Sequence, residues 1–148
     1  MIKKLQNNRI EVSEQIHAVF QLSYAVEASI LEATDFPPLK RPVASYRKND
    51  TMFFGYFDKD EIAGIIEVEN KASCTDIHSL VVHPLFFRRG IARQLLEFVF
   101  NSFDSSLFIV ETGANNKPAT QLYIKLGFKE VKQWDTEFGI RKVLFEKK

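Results

Sequence analysis

A chain of 148 residues is the size of one domain, expected over 1–148, and can bury roughly two-thirds of its unfolded surface, enough for a core without staples. Twenty basic against nineteen acidic residues leave a net charge of +1, which offers no broad basic face for nucleic acid, and the single cysteine, Cys74, excludes an intramolecular disulfide framework or a multi-cysteine zinc site. No run approaches the ~20 apolar residues that cross a bilayer, and the start, MIKKLQNNR, has no apolar stretch of a signal peptide, so a soluble, cytoplasmic protein without a membrane partner is expected.

The predicted elements begin with a short strand at 2–6, broken by Asn7, Asn8 and Arg9. Ser13 with Glu14 reads as a helix cap, and Ile16, Val19, Phe20, Tyr24 and Glu27 recur at helical spacing, so the sequence predicts a packing helix over 13–31. Phe36-Pro37-Pro38-Leu39-Lys40-Arg41-Pro42 is the one proline-rich stretch and reads as a loop within the domain. The runs 51–57 and 61–69, joined by Asp58-Lys59-Asp60, form a hairpin pattern. Strict alternation would put Ile62, Gly64, Ile66 and Val68 on one face of the second strand, with Glu61, Ala63, Ile65, Glu67 and Glu69 on the other.

The segment IHSLVVHPLFFRRGIARQLL, 77–96, organises the rest of the chain. Its β-branched start is a buried strand, and His83-Pro84 stops it, because proline has no N–H for a ladder and restricts its predecessor. A basic turn, Arg88-Arg89-Gly90-Ile91-Ala92, leads into a helix over 90–101 with Ile91, Leu95, Phe98 and Val99 on one stripe. Strand, glycine turn and helix start together aim backbone amides at one point beside two arginines, which is an anion site suited to a phosphate or pyrophosphate. Downstream come a strand at 107–111, a helix opened by Asn116 and Pro118, with the stripe Ala119, Leu122, Tyr123 and Leu126 and a Gly127 cap, and strands at 128–133 and 138–145. The order β-α-β-β-β-α-β-α-β-β predicts an α/β fold of the α+β type: a mixed, mostly antiparallel sheet of about six to seven strands with helices on both faces, unlike the alternating order of a dinucleotide fold.

Val82-x-Pro84 followed by Arg89-Gly90-Ile91-Ala92 resembles the cofactor loop of the GNAT N-acetyltransferase superfamily, written Q/R-x-x-G-x-G/A. The block Asn116-x-x-Ala119-x-x-x-Tyr123-x-x-x-Gly127-Phe128 resembles that family's downstream signature. Two positions depart from the pattern: Phe87 stands where the family has Gln or Arg, and Arg88 where a glycine often follows. The resemblance implies the GNAT fold, acetyl-CoA as cofactor, and direct acetyl transfer in a ternary complex to a primary amine on a small molecule or peptide. It implies that Arg88, Arg89, Gly90, Ile91, Ala92 and Arg93 hold the pyrophosphate. The backbone of Leu80, Val81 and Val82 would hold the pantetheine arm in a gap between two splayed strands, with Asn116 bonding the arm. Tyr123 would be the general acid for the departing thiolate. The first helix and the loop after it would wall the acceptor site, making Tyr24 and Glu27 acceptor contacts. A homodimer is common for such a fold, though no residue here demands one.

The general base is open at this level. Asp76 lies at the entrance of the cofactor strand, His78 follows on the same strand with a side chain suited to proton abstraction, and Glu67 and Glu69 share a strand face. A water chain without a unique base is the alternative. His83 and His17 read as structural and surface residues, and no G-x-S-x-G elbow or His/Glu metal spacing is present, so no metal is expected. Acidic Glu27, Glu67, Glu69 and Asp76 suit a cationic amine, which leaves a polyamine, amino sugar, aminoglycoside, amino acid or peptide terminus as acceptors. The rival reading is a non-catalytic acyl-CoA-binding or sensing domain.

Overall fold

The computed structural model describes residues 1–48 and 50–148. Its strands are β1 (Ile2–Lys4), β2 (Met52–Asp58), β3 (Glu61–Lys71), β4 (Cys74–Val82), β5 (Leu107–Gly113), β6 (Lys129–Asp135) and β7 (Arg141–Lys147). The helices are α1 (Ile10–Ile30), α2 (Ile91–Ser102) and α3 (Lys117–Lys125), with short 3-10 turns at Pro37–Lys40, Val43–Arg47 and Pro84–Phe86. Among the described residues the strands form one seven-stranded sheet in the order β1-β2-β3-β4-β5-β7-β6. Neighbours run antiparallel except β4 and β5, which are parallel. No helix among the described residues is long and apolar enough to cross a membrane.

Each face of the sheet has its own core. Ile91, Leu95, Leu96 and Val99 of α2, with Tyr123 of α3, pack on Ile66, Val68, Ile77, Val110 and Phe145. On the other face Ile16, Val19 and Phe20 of α1 pack on Phe53, Ile65 and Val81, together with Tyr46. Each large side chain so buried contributes ~1.5–3 kcal/mol. Because β3 is covered on both sides, its residues 62–66 read as a continuous apolar run rather than as a clean alternation.

The register departs from strict alternation at two places. Tyr56 pairs with Gly64 and Phe57 with Ile62, so Ala63 is an extra residue that turns inward with Ile66 and Val68, while Ile62 packs with Ile65 toward α1. This exchanges Ile62 and Ala63 relative to the alternation expected from sequence. In β4, Glu67 pairs with Ser79 but Val68 with Ile77, so His78 is the extra residue. A bulge bends a strand and strengthens its twist.

The start of α1 also differs from the sequence expectation. Ser13 is buried inside the helix, where its hydroxyl donates to the Ile10 carbonyl (2.8 Å) and accepts from Arg47 Nη1 (3.2 Å). The position before the helix is Arg9, with no side-chain cap. Ser13 serves to tie α1 to the 43–47 turn instead of opening the helix. At the other end of the chain, the last connection spans 136–140, where the Thr136 hydroxyl accepts from the Ile140 N–H (3.2 Å), so β7 starts later than expected.

Gly64 sets the height of α2 over the sheet. A Cβ there would lie 2.7 Å from Ile91 Cγ2 and 3.2 Å from both Leu95 Cδ1 and the Val81 carbonyl. Gly64→Val is therefore expected to lose about 1–3 kcal/mol through overpacking, read as a lower midpoint in urea denaturation. An unchanged midpoint would mean that α2 is not seated on β3 in this way.

Candidate active site

Parallel pairing between β4 and β5 starts at Cys74 opposite Leu107 and ends at Ile77 opposite Val110. Beyond that point β4 continues to Val82 against β3 alone, and β5 to Gly113 against β7 alone. The two strands thus part and leave facing backbone edges in a wedge, as the resemblance implied. The bulge at His78 stands where the separation begins. A cleft of about 1350 Å³ follows the wedge, lined on the β4 side by Ser79, Leu80 and Val82 and on the β5 side by Val110, Glu111, Thr112 and Gly113.

At one end of the cleft lies the 87–93 segment. Arg88 and Gly90 both have left-handed backbones, with φ of 64° and 73°, so the chain curls tightly into α2. For an arginine that conformation costs about 1–2 kcal/mol, which explains why glycine suits this position. Gly90 precedes the helix with no side-chain cap, so the amides of the first turn have no partner inside the helix. Arg88, Gly90, Ile91, Ala92 and Arg93 line the cleft, with Arg93 also paired to Glu97 (2.8 Å). Two predicted cofactor contacts turn elsewhere. The Arg89 guanidinium lies over the Phe86 ring (5.0 Å to its centre) and 3.7 Å from Asp58, and the Val81 side chain is buried under α1. Neither residue lines the cleft. Phe87, which stands where the family has Gln or Arg, is 42% exposed and lines the cleft, whereas Phe86 is buried.

The middle of the cleft is built from α1 and α3. The Tyr24 hydroxyl donates to Ser79 Oγ (3.2 Å), tying α1 to β4. Leu31, just past the helix, seats on Gly113 of β5, where a Cβ would stand 2.7 Å from its Cδ2. Between these two anchors Glu27 faces the cleft and accepts from Asn116 Nδ2 (3.3 Å). Asn116 Oδ1 in turn caps α3 by accepting from the Ala119 N–H (3.4 Å), so its expected capping role holds. Tyr123 is buried on the α3 face and lines the same cleft. Burial first, then the Glu27 carboxylate, pushes the Tyr123 hydroxyl well above the ordinary tyrosine range, so it is a protonated donor at neutral pH. Burial also raises the Glu27 carboxyl above its usual range, against the opposing pull of Asn116 and Lys142.

The four residues considered as bases separate into two groups. Glu67 is 2% exposed, and both of its oxygens are engaged. Oε1 accepts from Arg41 Nη1 (2.8 Å) and Ser79 Oγ (3.0 Å), and Oε2 from Arg41 Nη2 (3.1 Å) and Thr51 Oγ1 (2.9 Å). A carboxylate so saturated is a structural acid, and the structure removes Glu67 from the list of free bases. Arg41 itself stacks on the Tyr46 ring (4.0 Å to its centre), which orders the 36–47 segment over the sheet. Glu69, Asp76 and His78 gather on the rim: His78 Nε2 lies 3.0 Å from Glu69 Oε1 and 3.6 Å from Asp76 Oδ2. Their ligand atoms fall within 4.8 Å of one another, close enough to share a cation, a proximity the sequence spacing did not suggest. Of the three only His78 reaches the cleft wall. His17 is half-buried, with its ring edge-on to Tyr46, and His83 Nδ1 accepts from the Leu85 N–H (3.1 Å) as a structural residue. Sequence reading missed Ser79, Glu111, Trp134 and Phe138, which line the cleft, whereas Phe36 and Arg41, which also line it, lie in the loop expected to wall the acceptor site.

Residues 32–148 match the acetyltransferase (GNAT) domain family. The UPF0157 protein YqkA of Bacillus subtilis is 34% identical over 131 residues, which is 88% of this chain and 38% of that protein. The streptothricin acetyltransferase of Escherichia coli is 32% identical over 101 residues, 60% of this chain and 58% of that enzyme. The chain therefore spans well under two-thirds of either relative. Among solved structures, the PaiA N-acetyltransferase from Thermoplasma acidophilum in complex with coenzyme A superposes with a TM-score of 0.74 at 19% identity, covering 100% of this chain and 99% of that one. At that identity the likeness shows the fold.

Two outcomes follow from the carboxylates. Arg41→Ala strands the buried Glu67 charge and is expected to destabilise the protein by about 3–5 kcal/mol in urea denaturation; a loss under 1 kcal/mol would show that water reaches Glu67. For Glu27, the folded pKa lies above the ordinary 4.5, so the charged form is disfavoured by folding. That penalty is absent below pH 4 and grows as pH rises through the folded value. Glu27→Gln should melt ~2–4 °C above wild type at pH 8, the equivalent of about 1 kcal/mol, and level with it near pH 4. A gain independent of pH would refute the charge-burial account.

Proposed function

Because the chain belongs to the GNAT acetyltransferase family, we propose that it is an N-acetyltransferase that moves the acetyl group of acetyl-CoA to a primary amine in a ternary complex. The observation that carries the proposal is one continuous cleft joining the uncapped α2 start, the unpaired edges of β4 and β5, and Tyr123. The residues fit an extended diphosphate ligand. The amides of Ile91, Ala92 and Arg93 suit its phosphates, with Arg88 and Arg93 as counter-charges. The free edge of Leu80–Val82 suits an amide-bearing arm lying as an added strand, and Asn116 lines the same cleft.

Acetyl-CoA supplies the activated thioester. This chain's own residues hold it still beside the acceptor, which alone lowers the barrier substantially. In the transfer the amine nitrogen bonds to the carbonyl carbon, the carbon–sulfur bond breaks, the nitrogen loses one proton and the sulfur gains one. Tyr123, kept protonated by burial, gives that proton to the sulfur. The rim group His78, with Glu69 and Asp76, lies at the mouth, where it attracts a cationic acceptor and passes protons to solvent. On this proposal residues 1–148 form one catalytic domain, working in the cytoplasm without nucleic acid or membrane.

Calorimetric titration with acetyl-CoA, followed by a panel of primary amines with thiol release monitored, tests the reading. Binding with release on an amine supports it; binding without release on any amine favours a non-catalytic acyl-CoA sensor; no binding overturns both. Tyr123→Phe should lower kcat by about 10²-fold or more while leaving the acetyl-CoA dissociation constant within a factor of two. Unchanged turnover in that variant would remove the general-acid role.

A further inference from the structure

We propose that Glu27 is the catalytic residue that receives the acceptor's ammonium group and takes its proton, the acceptor being a primary amine on an apolar body. This rests on the acetyl-transfer reading above. It comes from how α1 crosses the cleft. Tyr24 is tied to Ser79 on β4, and Leu31 is seated on Gly113 of β5. Glu27 lies three residues after the first and four before the second, on the same side of the helix, so it is held over the gap between the parting strands.

The carboxylates around the cleft differ in how free they are. Glu67 accepts four hydrogen bonds. Glu69 and Asp76 engage His78 on the rim, and the two other carboxylates that line the cleft, Glu111 on β5 and Glu137 in the 136–140 connection, are exposed. Glu27 is half-buried and has one hydrogen bond among the described residues, from an amide that also marks the base of α3. Lys142 from β7, the hydroxyl of Tyr123 from α3 and that of Tyr24 one turn earlier on α1 are the charged and titratable groups that act on it. Glu27 and Tyr123 both line the one cleft, which therefore holds a proton acceptor and a proton donor. The wall beyond Glu27 is Phe36, Trp134, Phe138 and Ile140, which suits an apolar substituent.

The step balances as follows. An N–H proton of the ammonium passes to Glu27, and the freed lone pair forms the bond to the thioester carbon. The carbon–sulfur bond then breaks, and the sulfur takes the Tyr123 proton. As the carbon–sulfur bond breaks, the nitrogen gives up a second proton, which restores Tyr123, and Glu27 gives its own to solvent. Of the two protons lost by the ammonium, one thus ends on the thiol and one in solvent. Burial raises the basicity of Glu27 toward that needed to accept a proton near neutral pH.

Trp134, the chain's one tryptophan, lines the same cleft, so its emission reports occupancy. The experiment titrates 2-phenylethylamine, and 2-phenylethanol as its uncharged counterpart, into wild type and Glu27→Gln, each with and without coenzyme A. Glutamine keeps the shape of Glu27 and can still accept from Asn116, and equal coenzyme A affinity in both proteins verifies the fold. The expected result is saturable amine binding at least tenfold weaker in Glu27→Gln, with the alcohol indifferent to the substitution. With an amine that releases thiol, the acid limb of kcat/KM present in wild type should vanish in Glu27→Gln. Equal amine affinity in the two proteins, or no saturable response in wild type, overturns the proposal. So does an acid limb that survives in Glu27→Gln and disappears in Glu111→Gln. Glu27-dependent amine binding without any coenzyme A binding would sustain the amine site while the transferase reading fell.

Discussion

Parallel pairing of β4 with β5 ends at Ile77 opposite Val110, and from there each strand keeps a backbone edge with no strand partner among the described residues. An unmet backbone group away from water costs ~1–3 kcal/mol, so such a separation persists only where other contacts hold it open or a ligand completes it. Here β3 holds β4 as far as Val82, and β7 holds β5 as far as Gly113, each from the outer side. The bulge at His78 adds a residue to β4 just where the strands part, and a bulged strand bends away from its neighbour. Gly64 then seats the start of α2 on β3, so the helix amides arrive at the open end of the wedge. The cleft is thus a consequence of sheet geometry, and its polar groups sit at positions that geometry creates.

A sheet opened in this way needs a brace on the face that α2 does not cover. That brace is α1, fixed on β4 through Tyr24 and Ser79 and on β5 through Leu31 and Gly113. Ser79 links this brace to a second network, because its hydroxyl donates to Glu67, which Arg41 and Thr51 also hold. Arg41 in turn orders the proline-rich stretch by lying on Tyr46. The 36–47 segment, α1 and the centre of the sheet are therefore joined through one network of contacts, and this wall of the cleft is a packed structure rather than a free loop.

What the sequence made legible was local. A strand stopped by His83-Pro84, a glycine at the αL position and an apolar stripe after it are decided within a few residues, and they appear as expected in β4, Gly90 and α2. The Asn116 cap and the Gly127 stop were legible for the same reason. What stayed hidden depends on the partner strand or on distant contacts. Nothing within 61–69 says that Ala63 is skipped by its neighbour β2, and nothing within 74–82 says the same of His78. Glu67 looked like a free base because its partner Arg41 is 26 residues away in the chain. Glu27 and Asn116 are 89 residues apart, and only the crossing of α1 over the wedge brings them together. Ser13 shows the converse error: a good capping residue was used for a different bond, to the 43–47 turn.

The contrast between Glu67 and Glu27 carries the physical logic of the site furthest. Both are acids placed away from bulk water beside the cleft, where an uncompensated charge is expensive. Glu67 is compensated fully, by a bidentate arginine and two hydroxyls, and the result is a rigid joint with no capacity left for a substrate. Glu27 is compensated in part, by one amide at 3.3 Å and a lysine acting at longer range. The fold tolerates that deficit because α1 is held by its neighbours Tyr24 and Leu31 rather than by Glu27 itself. A carboxylate left short of partners in this way gains from a cation entering the cleft, and the same deficit that raises its proton affinity draws an ammonium group to the wedge. On the proposed reading the stability forgone at Glu27 is the source of recognition, and it lies where β4 and β5 stop helping one another.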